Sequence, residues 1–495
     1  MTGARRFLGA NHPLLMDPIF LIEALLYACG FWVISWRYPA VALALVFGTA
    51  PFQNDLSGGL GVKFSFAEIN LLLATPLFLA MLLSGQRRLR MWPLFWPCVL
   101  FSLACVASSL VKWHSGSALT SYVQQGLFFF VVVPIFALMA RRAEDLKPAL
   151  WALLGISSIV ALTAVITRKE YVLGLHKNGI GGSLACALIV AVELWFHLQA
   201  QQETDDTRRS LGWQKRLLGV LIALFSLGLL FSLSRGGWLA AASGLILISS
   251  MRRQWVLLAR AAVLIIPFLF VAWSLLPQES KDYATSFDAK RGNIKARYNN
   301  SDRTLAQWRS SPTFGAGMGL RKEIDATNFV LMALAETGVV GFVTFMGLFA
   351  AFAVMVSRGQ KEMARDDFAY SLLAIGGALM LSRLMHGMVD HYWARGPTMM
   401  AWASAGMATG ALWFARERVL ASKTPRARAL LALHLLETRR REGLPLFPPS
   451  PISAEFGVRS AELGSSEVSH SSLRTLRSSD KLTALERMAR DGDDA

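Results

Sequence analysis

The sequence predicts an all-α polytopic membrane protein, and three observations support this fold class. Hydrophobic residues make up 54% of the 495 residues, charged residues only 17%, and the mean hydropathy is +0.42, a composition too apolar for a soluble protein of this size. Runs of about 18 or more mostly apolar residues recur along the first 415 positions, each long enough to cross a hydrocarbon core about 30 Å thick. Such runs satisfy their backbone hydrogen bonds as helices, whereas a membrane barrel shows alternation over about ten residues.

Basic loops between the apolar runs predict how the chain is threaded. Two apolar runs separate each basic cluster from the next, so all five clusters fit one side of the membrane, at residues 85–90, 141–147, 201–216, 251–254 and 357–367. The positive-inside bias assigns that side to the cytoplasm. We predict about twelve spans, within a range of eleven to thirteen and with both termini inside, at 14–36, 66–84, 91–111, 118–140, 148–167, 180–199, 217–233, 237–250, 255–276, 338–356, 368–388 and 397–414.

Segment 38–52 does not fit this count, because it is short and is flanked by Pro39 and Pro51. We interpret it as re-entrant or interfacial; a thirteenth span there would leave the downstream topology unchanged and move only the N-terminus across the membrane. The first span begins near Leu14 with no small-residue cleavage site behind it, so we expect an uncleaved anchor rather than a signal peptide.

Two regions lie outside the spans. The long polar loop from about Pro277 to Ala326 is predicted to be periplasmic, and a loop of this length in a compact helical bundle is usually functional. After the membrane domain, 1–415, the residues 416–495 carry charges of both signs, a proline cluster and a serine-rich stretch, and are predicted to be a largely disordered cytoplasmic tail. Within this tail, 424–441 fits an amphipathic helix on an anionic leaflet or a solvated helix.

Composition excludes several functions. The cysteines all fall inside apolar runs without CxxC spacing, so we interpret them as small packing residues rather than a disulfide framework or a metal site: Cys29, Cys98, Cys105 and Cys186. The net charge of +17 resides largely in short loops and reports topology rather than nucleic-acid binding. The sequence contains no P-loop, no dinucleotide glycine fingerprint and no HExxH motif.

Arg235, in the stretch FSLSRGGWLA, is a charge between two apolar runs. An arginine in lipid is costly, so such residues usually face water, pair with another group or snorkel. Gly236 and Gly237 permit unusual backbone angles and the close approach of a backbone or ligand, while Ser234 adds a hydroxyl. A snorkelling arginine in a helical hairpin and an arginine in a functional site are both open at this point.

Other polar groups share the predicted outward side of Arg235. They are His176, Lys177 and Asn178 before one span, Lys290, Arg291, Lys295, Arg297 and Arg303 in the long loop, and His386, Asp390, His391 and Arg395 after another span. A basic outward loop runs against the positive-inside bias and implies an anionic ligand, and the guanidinium fork suits a diphosphate. Solvated charge and structural histidines are the competing interpretations.

In the next segment, Asp325 or Thr327 is predicted to cap a helix that breaks at Gly338.

Three motifs follow one another in the chain: SLSRGGWLA, a long loop that ends in SPTFGAGMG, and TNFVLMALAETGVVGF. This order resembles the shared domain of O-antigen ligases and Wzy-type polysaccharide polymerases, over roughly residues 60–415. The HKNG segment is similar to exopolysaccharide polymerases of this group. The resemblance implies a GT-C-like glycosyltransferase of the bacterial inner membrane with a periplasmic active site and no nucleotide sugar, metal or other cofactor. It implies a glycan donor on undecaprenyl diphosphate, with lipid A core as acceptor for a ligase and a second lipid-linked glycan for a polymerase.

We expect Arg235 to hold the diphosphate, with Arg297 or Arg303 as a second clamp, and attack at the anomeric carbon to invert its configuration. The ligases usually have His-Asn where this chain has Thr327 and Asn328, and a threonine hydroxyl is not a base near neutral pH. Another group must then be the base. The expected catalytic residues are Arg235, Arg303, His391 and Asp390, with His386 and His176 as further candidate bases, and the expected binding residues are His176, Lys177, Asn178, Ser234, Arg297, Asn328 and Glu336.

The missing histidine and the HKNG segment favour a polymerase slightly over a ligase, with a flippase and a chain-length regulator as further partners. The main alternative from another class is a lipid-linked sugar transporter. Against it, the charges within predicted spans lie mostly away from span centres and show no repeat relation: Glu23, Glu68, Glu193, Arg260 and Arg383. A non-catalytic scaffold of envelope assembly is the third alternative.

Overall fold

The computed structural model describes residues 18–52, 65–111, 115–169, 171–204, 208–285, 292–320, 324, 328–390 and 395–423. Its helices, numbered in chain order, are α1 Pro18–Arg37, α2 Pro39–Thr49, α3 Phe66–Leu83, α4 Phe95–Val111, α5 Ser115–Leu127, α6 Val133–Leu138, α7 Lys147–Thr167, α8 Lys177–Thr204, α9 Arg208–Phe231, α10 Arg235–Arg252, α11 Trp255–Ser274, α12 Gln278–Thr285, α13 Gly292–Ser310, α14 Phe329–Glu362, α15 Phe368–Val389 and α16 Arg395–Lys423. A π-helical segment Phe128–Val132 joins α5 to α6, a 3-10 helix Ala143–Leu146 precedes α7, and strands β1 Tyr171–Val172 and β2 Leu175–His176 pair antiparallel before α8.

The all-α polytopic prediction is confirmed. Seven helical stretches in the described part of the chain are long and apolar enough to cross a membrane: Phe66–Leu83, Ala118–Leu138, Ala143–Thr167, Lys177–Gln202, Gly212–Phe231, Phe329–Glu362 and Phe368–Val389. Shorter apolar helices are Pro39–Thr49, Phe95–Leu110 and Ile265–Ser274. All of them overlap a predicted span or the segment 38–52, while the total of twelve spans and the GT-C-like architecture stay predictions. The first 414 residues form one compact unit and residues 415–495 a second, and the predicted helix 424–441 lies outside the described residues.

The basic loops meet at one end of the helical bundle, here called the basic end. The contacts that join them are Arg87 Nη2 to the Met139 carbonyl at 3.1 Å, Lys147 Nζ to the Phe368 ring at 4.7 Å, the His197 ring to the Phe368 ring at 5.4 Å, and Arg252 to the Arg365 carbonyl. This agrees with the prediction that the clusters share one side.

The first helices correct the predicted topology. Two successive contacts show that α1 runs parallel to α3 and ends with it at the basic end: the Tyr27 hydroxyl with Asn70 Oδ1, and Trp32 Nε1 with the Leu73 carbonyl at 2.9 Å. Two parallel helices need a crossing between them, and α2 makes it, because Ala50 at its far end packs on Gly396 near the start of α16. The re-entrant interpretation of 38–52 is therefore wrong, and α1 starts at the end opposite the basic end.

Helices α8, α10 and α15 form the centre of the bundle and are joined at the basic end by a buried ion pair. Arg252 Nε lies 2.9 and 3.2 Å from the two carboxylate oxygens of Glu193, and Arg252 Nη2 donates to Ser371 Oγ at 2.8 Å. The Arg252 guanidinium also lies 4.7 Å from the Tyr370 ring centroid. Because both charged side chains are almost completely buried, each depends on the other for compensation. One cluster thus ties three central helices together.

We predict that Glu193→Ala lowers the free energy of unfolding by about 3–5 kcal/mol, because it leaves Arg252 as an uncompensated buried charge. The measurement is thermal unfolding of the purified protein in detergent. The double variant Glu193→Leu with Arg252→Met is expected to be more stable than either single charge-removing variant. Equal stability of Glu193→Ala and the wild type would contradict the buried-pair account.

Helix α14 breaks at Gly338, as the sequence predicted, and the long loop completes its hydrogen bonds. Gly338 has φ 65° and ψ −167°, so the neighbouring backbone groups have no helical partners. The loop residues 312–317 supply them: Ala316 N donates to the Ala335 carbonyl at 2.7 Å, Gly317 N to the Glu336 carbonyl at 3.1 Å, Val339 N to the Pro312 carbonyl at 2.9 Å and Val340 N to the Thr313 carbonyl at 3.2 Å. The SPTFGAGMG and ETG motifs are therefore one structural unit.

The predicted cap of this helix is wrong by a few residues. Asn328 is the N-cap of α14, and its Oδ1 accepts hydrogen bonds from Val330 N at 3.0 Å and Leu331 N at 3.1 Å. An asparagine side chain satisfies the first free N–H groups of a helix as well as an aspartate or threonine does. Asp325 and Thr327, which the sequence favoured, lie outside the described residues.

Candidate functional site

The SRGG turn brings α8 and α10 into backbone contact. Ser234 is the N-cap of α10, with its Oγ accepting from Gly237 N at 3.1 Å. A Cβ on Gly237 would lie 2.8 Å from the carbonyl carbon of Gly181 in α8, and a Cβ on Gly181 would lie 2.5 Å from Ser234 Cβ. Small residues allow helices in a membrane to approach this closely. The contact confirms the predicted close approach of a neighbouring backbone.

The predicted backbone angles of the two SRGG glycines are wrong. Gly236 and Gly237 lie in the first turn of α10, and the left-handed residue of the turn is Leu233, with φ 52°. Leucine pays a steric penalty in this region of backbone space. The glycines are required for space rather than for conformation.

The His386 imidazole lies between α8 and α10, in the slot that two glycines leave open. A Cβ on Gly182 would lie 2.9 Å from His386 Nδ1, and a Cβ on Gly236 would lie 2.9 Å from Nε2. His386 is completely buried and projects from the last turn of α15. The GG pair of α8 and the SRGG motif of α10 therefore shape one histidine site.

Arg383 lies one turn before His386 on α15 and belongs to the same site. From the sequence it was predicted only to be a charge within a span. Its side chain is 2% exposed; Nη2 donates to the Gly182 carbonyl at 3.0 Å and lies 3.6 Å from Met400 Sδ. Its Nε and Nη1 have no hydrogen-bond partner among the described residues. The spacing of Arg383, His386 and Asp390 places all three on one helix face, which was the available sequence signal.

The long loop reaches the same place through Arg297. Arg297 Nη1 donates to the Val389 carbonyl at 2.5 Å, and Nη2 lies 3.5 Å from Asp390 Oδ1. The Val389 side chain also packs against Gly236, beside Arg235. Arg297 and Asp390 therefore lie together at the end of α15 opposite the basic end, and the SRGG turn that carries Arg235 packs against the same end of α15.

Arg303 is placed differently from Arg297, although both lie on α13. The inward face of α13 carries Arg297, the buried Thr304 and Trp308, which packs on the core around Leu320 and Met332. Arg303 lies on the exposed face of the helix. Of the two predicted clamps, the structure therefore brings Arg297 to the site.

Three helices begin at this end. The first residues of α8, α10 and α14 are Lys177, Arg235 and Phe329, and Phe329 packs against Gly387 of α15. Each helix N-terminus carries about half a positive charge, so anions are stabilised there. Arg235 is partly buried, which directs part of its side chain into the protein rather than into water. The site is electropositive from both side chains and backbone.

The remaining predicted residues have contacts that hold the site together. His176 ends β2 and lies edge-on to Tyr171 at 5.1 Å between ring centroids, with Asn178 N at 3.5 Å from its Nδ1. Glu336 Oε1 accepts from Gly319 N at 3.0 Å, which fixes the long loop. His391 lies outside the described residues. Binding roles for His176, Lys177, Asn178, Ser234, Asn328 and Glu336 stay predictions.

An apolar cavity of about 690 Å³ lies between α8, α9, α10 and α11. Leu229, Leu230 and Trp238 line its upper part, directly beside the SRGG turn, and Trp195 and Phe196 line its lower part. Trp238 Nε1 donates to the Leu229 carbonyl at 2.9 Å and closes the turn over the cavity. The lining contains one polar side chain, Ser226, so the cavity suits an apolar chain. Its other lining residues are Leu188, Val192, Gly219, Ile222, Ala241, Ala242, Leu245, Ala262, Ile265, Ile266 and Leu269.

Residues 220–346 match the family model Wzy_C, described as O-Antigen ligase. The chain carries an O-antigen ligase/Wzy-type domain. The match supports a membrane function of the ligase and polymerase type in surface polysaccharide biosynthesis, and proteins with this domain transfer glycosyl groups. No curated protein matches the chain.

The O-antigen ligase domain supplies about half of the site. The matched residues run from α9 through the SRGG turn and the long loop to the break in α14, and they include Arg235 and Arg297. Arg383, His386 and Asp390 lie beyond the match, on α15. The α8 glycines and α15 therefore complete a centre that the matched stretch does not contain.

We predict that Gly237→Ala destabilises the O-antigen ligase domain by about 1–3 kcal/mol, because the added methyl group meets the α8 backbone, which cannot move aside as a flexible side chain would. The measurement is the melting temperature in detergent. Gly155→Ala on α7 is the matched control, since a Cβ there meets no atom within 4 Å. If both variants melt like the wild type, α8 and α10 do not depend on this contact.

Proposed function

We propose that the protein transfers a glycan from undecaprenyl diphosphate to an acceptor hydroxyl at the periplasmic face of the inner membrane, without a metal ion. The basic end then faces the cytoplasm, in agreement with the positive-inside bias, and the site at the opposite end faces the periplasm. The family match supports the reaction class, and the site supports the donor chemistry.

The observation that carries this proposal is that Arg297, the SRGG turn with Arg235, and the N-termini of α8, α10 and α14 all lie around one end of α15. A glycosyl transfer from a diphosphate places growing negative charge on the leaving group, and prepositioned donors in a water-poor site stabilise that charge. Arg235 begins α10 and contributes its guanidinium together with the helix terminus. Arg297 is held by the Val389 carbonyl and Asp390, so its position is fixed before the donor binds.

Asp390 is our proposed base. It is 7% exposed, ends α15 and faces Arg297 at 3.5 Å, so the two groups can exchange contacts as the donor diphosphate engages the arginine. A carboxylate released from its arginine is free to accept the proton of the acceptor hydroxyl. Attack opposite the leaving diphosphate inverts the anomeric configuration. His391 and His176 are the alternative bases retained from the sequence.

The apolar cavity supports a lipid-linked donor. Its lining includes Trp238, one helical turn after Arg235, and Leu229 and Leu230 just before the SRGG turn, so a donor with its diphosphate at the turn could place its isoprenoid chain in the cavity. The central charges give less support to transport. Glu68 forms a capping box with Ser65, and Glu193 is paired with Arg252, so both have structural partners.

We propose a polymerase of lipid-linked repeats, since Thr327 replaces the histidine expected of a ligase. A ligase that uses lipid A core is the second candidate, because the matched family is described as O-Antigen ligase. The two differ in acceptor. Purified protein given a lipid-linked oligosaccharide alone yields longer lipid-linked glycan if it is a polymerase, and yields product only after lipid A core is added if it is a ligase.

We predict that Arg235→Ala and Arg297→Ala each lower turnover of a lipid-linked oligosaccharide about a hundredfold or more, as removal of one charge-stabilising donor does in other enzymes. The assay follows released undecaprenyl diphosphate. Arg309→Ala is the control, because Arg309 lies on the same α13 helix, exposed and in its last turn.

Two outcomes would contradict this assignment. Full turnover by both Arg235→Ala and Arg297→Ala would exclude a guanidinium clamp at this site. A loss with Arg303→Ala but not with Arg297→Ala would move the second clamp to the exposed face of α13.

We predict that Ala242→Phe lowers turnover of the undecaprenyl donor about tenfold but leaves turnover of a short-tailed donor unchanged. The phenylalanine ring would occupy the space of the distal isoprenoid units, which a short-tailed donor lacks. A tenfold change corresponds to about 1.4 kcal/mol of binding free energy for the tail. Ala242 lines the cavity, whereas Ile246, one turn away, faces outward without lining it. Ile246→Phe is therefore the matched control. Equal loss with both donors would indicate a distorted site rather than a filled tail cavity.

A further inference from the structure

A second cavity, which is polar and has a volume of about 470 Å³, lies at the basic end and is far from the site described above. It is formed where α1 turns into α2, where α3 ends, and where α6 leads into α7. Its lining residues are Trp36, Arg37, Tyr38, Pro39, Ala40, Gln86, Arg87, Met139, Ala140, Arg141 and Asp145. The two basic clusters that contribute here, 85–90 and 141–147, were predicted from the sequence only to mark the cytoplasmic side.

The cavity concentrates positive charge. Three arginines, Arg37, Arg87 and Arg141, face one carboxylate, Asp145. One oxygen of Asp145 already accepts from the backbone N–H groups of Arg141 at 2.6 Å and Arg142 at 3.0 Å. The carboxylate is thus engaged by the start of the 3-10 helix, and the cavity keeps a net positive charge.

Arg87 is held in place with donor capacity left over. Its Nη1 donates to the Gln86 carbonyl at 2.9 Å and its Nη2 to the Met139 carbonyl at 3.1 Å. Its Nε is buried and has no hydrogen-bond partner within the described parts of the chain. Burial and the charge of Arg141 lower the pKa of Arg87, against the opposing effect of Asp145, so the cavity weakens the charged form of this arginine. An anion between Arg87 and Arg141 would stabilise that form.

The rim of the cavity combines aromatic and apolar side chains. Trp36 and Tyr38 are both more than half exposed, and exposed aromatic side chains at helix ends are typical of the boundary between lipid and water. Leu83, the last residue of α3 and four residues before Arg87, is 89% exposed. A free phosphate ion makes no contact with aromatic and apolar side chains that an anionic lipid would not also make through its headgroup. A lipid in addition has acyl chains that can pack on such a rim, along α1 and α3.

We propose that Arg37, Arg87 and Arg141 form a binding site for the phosphate headgroup of an anionic lipid of the inner leaflet. Basic cavities between membrane helices on the cytoplasmic side recognise such headgroups. The lipid bridges the ends of α1, α3 and α6, and so it holds the first three helices against the rest of the bundle. This site is independent of the proposed glycosyl transfer.

The test uses the full chain, purified and delipidated in detergent. Native mass spectrometry measures retention of phosphatidylglycerol and phosphatidylcholine, and a third arm adds inorganic phosphate as competitor. We expect phosphatidylglycerol to be retained in preference to phosphatidylcholine. Arg37→Gln and Arg141→Gln are each expected to weaken this retention about fivefold, since one arginine at an anionic surface contributes about that much.

Arg88→Gln is the matched control, because Arg88 is an exposed arginine of the same loop that does not line the cavity. Retention of phosphatidylglycerol by Arg88→Gln equal to that of the wild type supports a defined site. Three results would overturn the proposal: equal retention of the two lipids, equal losses in Arg88→Gln and Arg141→Gln, or complete displacement of the lipid by inorganic phosphate. Arg37 and Arg141 are exposed, so their variants are expected to fold even if Arg87 variants do not.

Discussion

The contact between the backbones of α8 and α10 at Gly181 and Gly237 is the constraint on which the rest of the site depends. With any larger residue, the two helix N-termini would move apart, and the slot that holds His386 would lose its walls. The same two helices are joined to α15 at their other ends by Arg252, Glu193 and Ser371. Close packing at one end and a buried ion pair at the other keep the three helices in register.

The charged residues at the two ends of the bundle have different contacts. At the basic end, Arg252 and Arg87 contact protein groups inside the bundle, whereas Arg37 and Arg141 are exposed. At the opposite end, Arg235, Arg297 and Arg383 collect around α15 with Asp390 as the nearby carboxylate. Three arginines beside one carboxylate give this end an excess of positive charge, which suits a ligand that carries several negative charges, as a diphosphate does.

Much of the fold could be predicted from the sequence, because hydropathy and loop charge follow directly from the properties of the bilayer. The helix positions, the shared side of the basic loops and the break at Gly338 are examples. The crossing by α2 was not predictable by the length rule, because α2 has 11 residues and lies between prolines. Only its side-chain neighbours, which a single sequence does not give, show that it traverses the bundle.

The site was partly predictable. The motifs identified Arg235 and the outward segments, but not which arginine of the long loop reaches α15. The helical phase of α13 contained that information, since Arg297 shares a face with the buried Thr304 while Arg303 does not. Arg383 was noted only as a charge within a span, because its partners, the Gly182 carbonyl and Met400, come from helices distant in sequence.

The backbone hydrogen bonds between residues 312–317 and the break in α14 determine which segments can be exchanged between related chains. The long loop is not an independent module, because four of its main-chain hydrogen bonds complete a membrane helix. A chimera with a relative must therefore carry the loop and the first half of α14 together, with junctions before α13 and after Val340. Within such a graft, the exposed face of α13 makes none of these contacts and is the part that can vary without disturbing the break in α14.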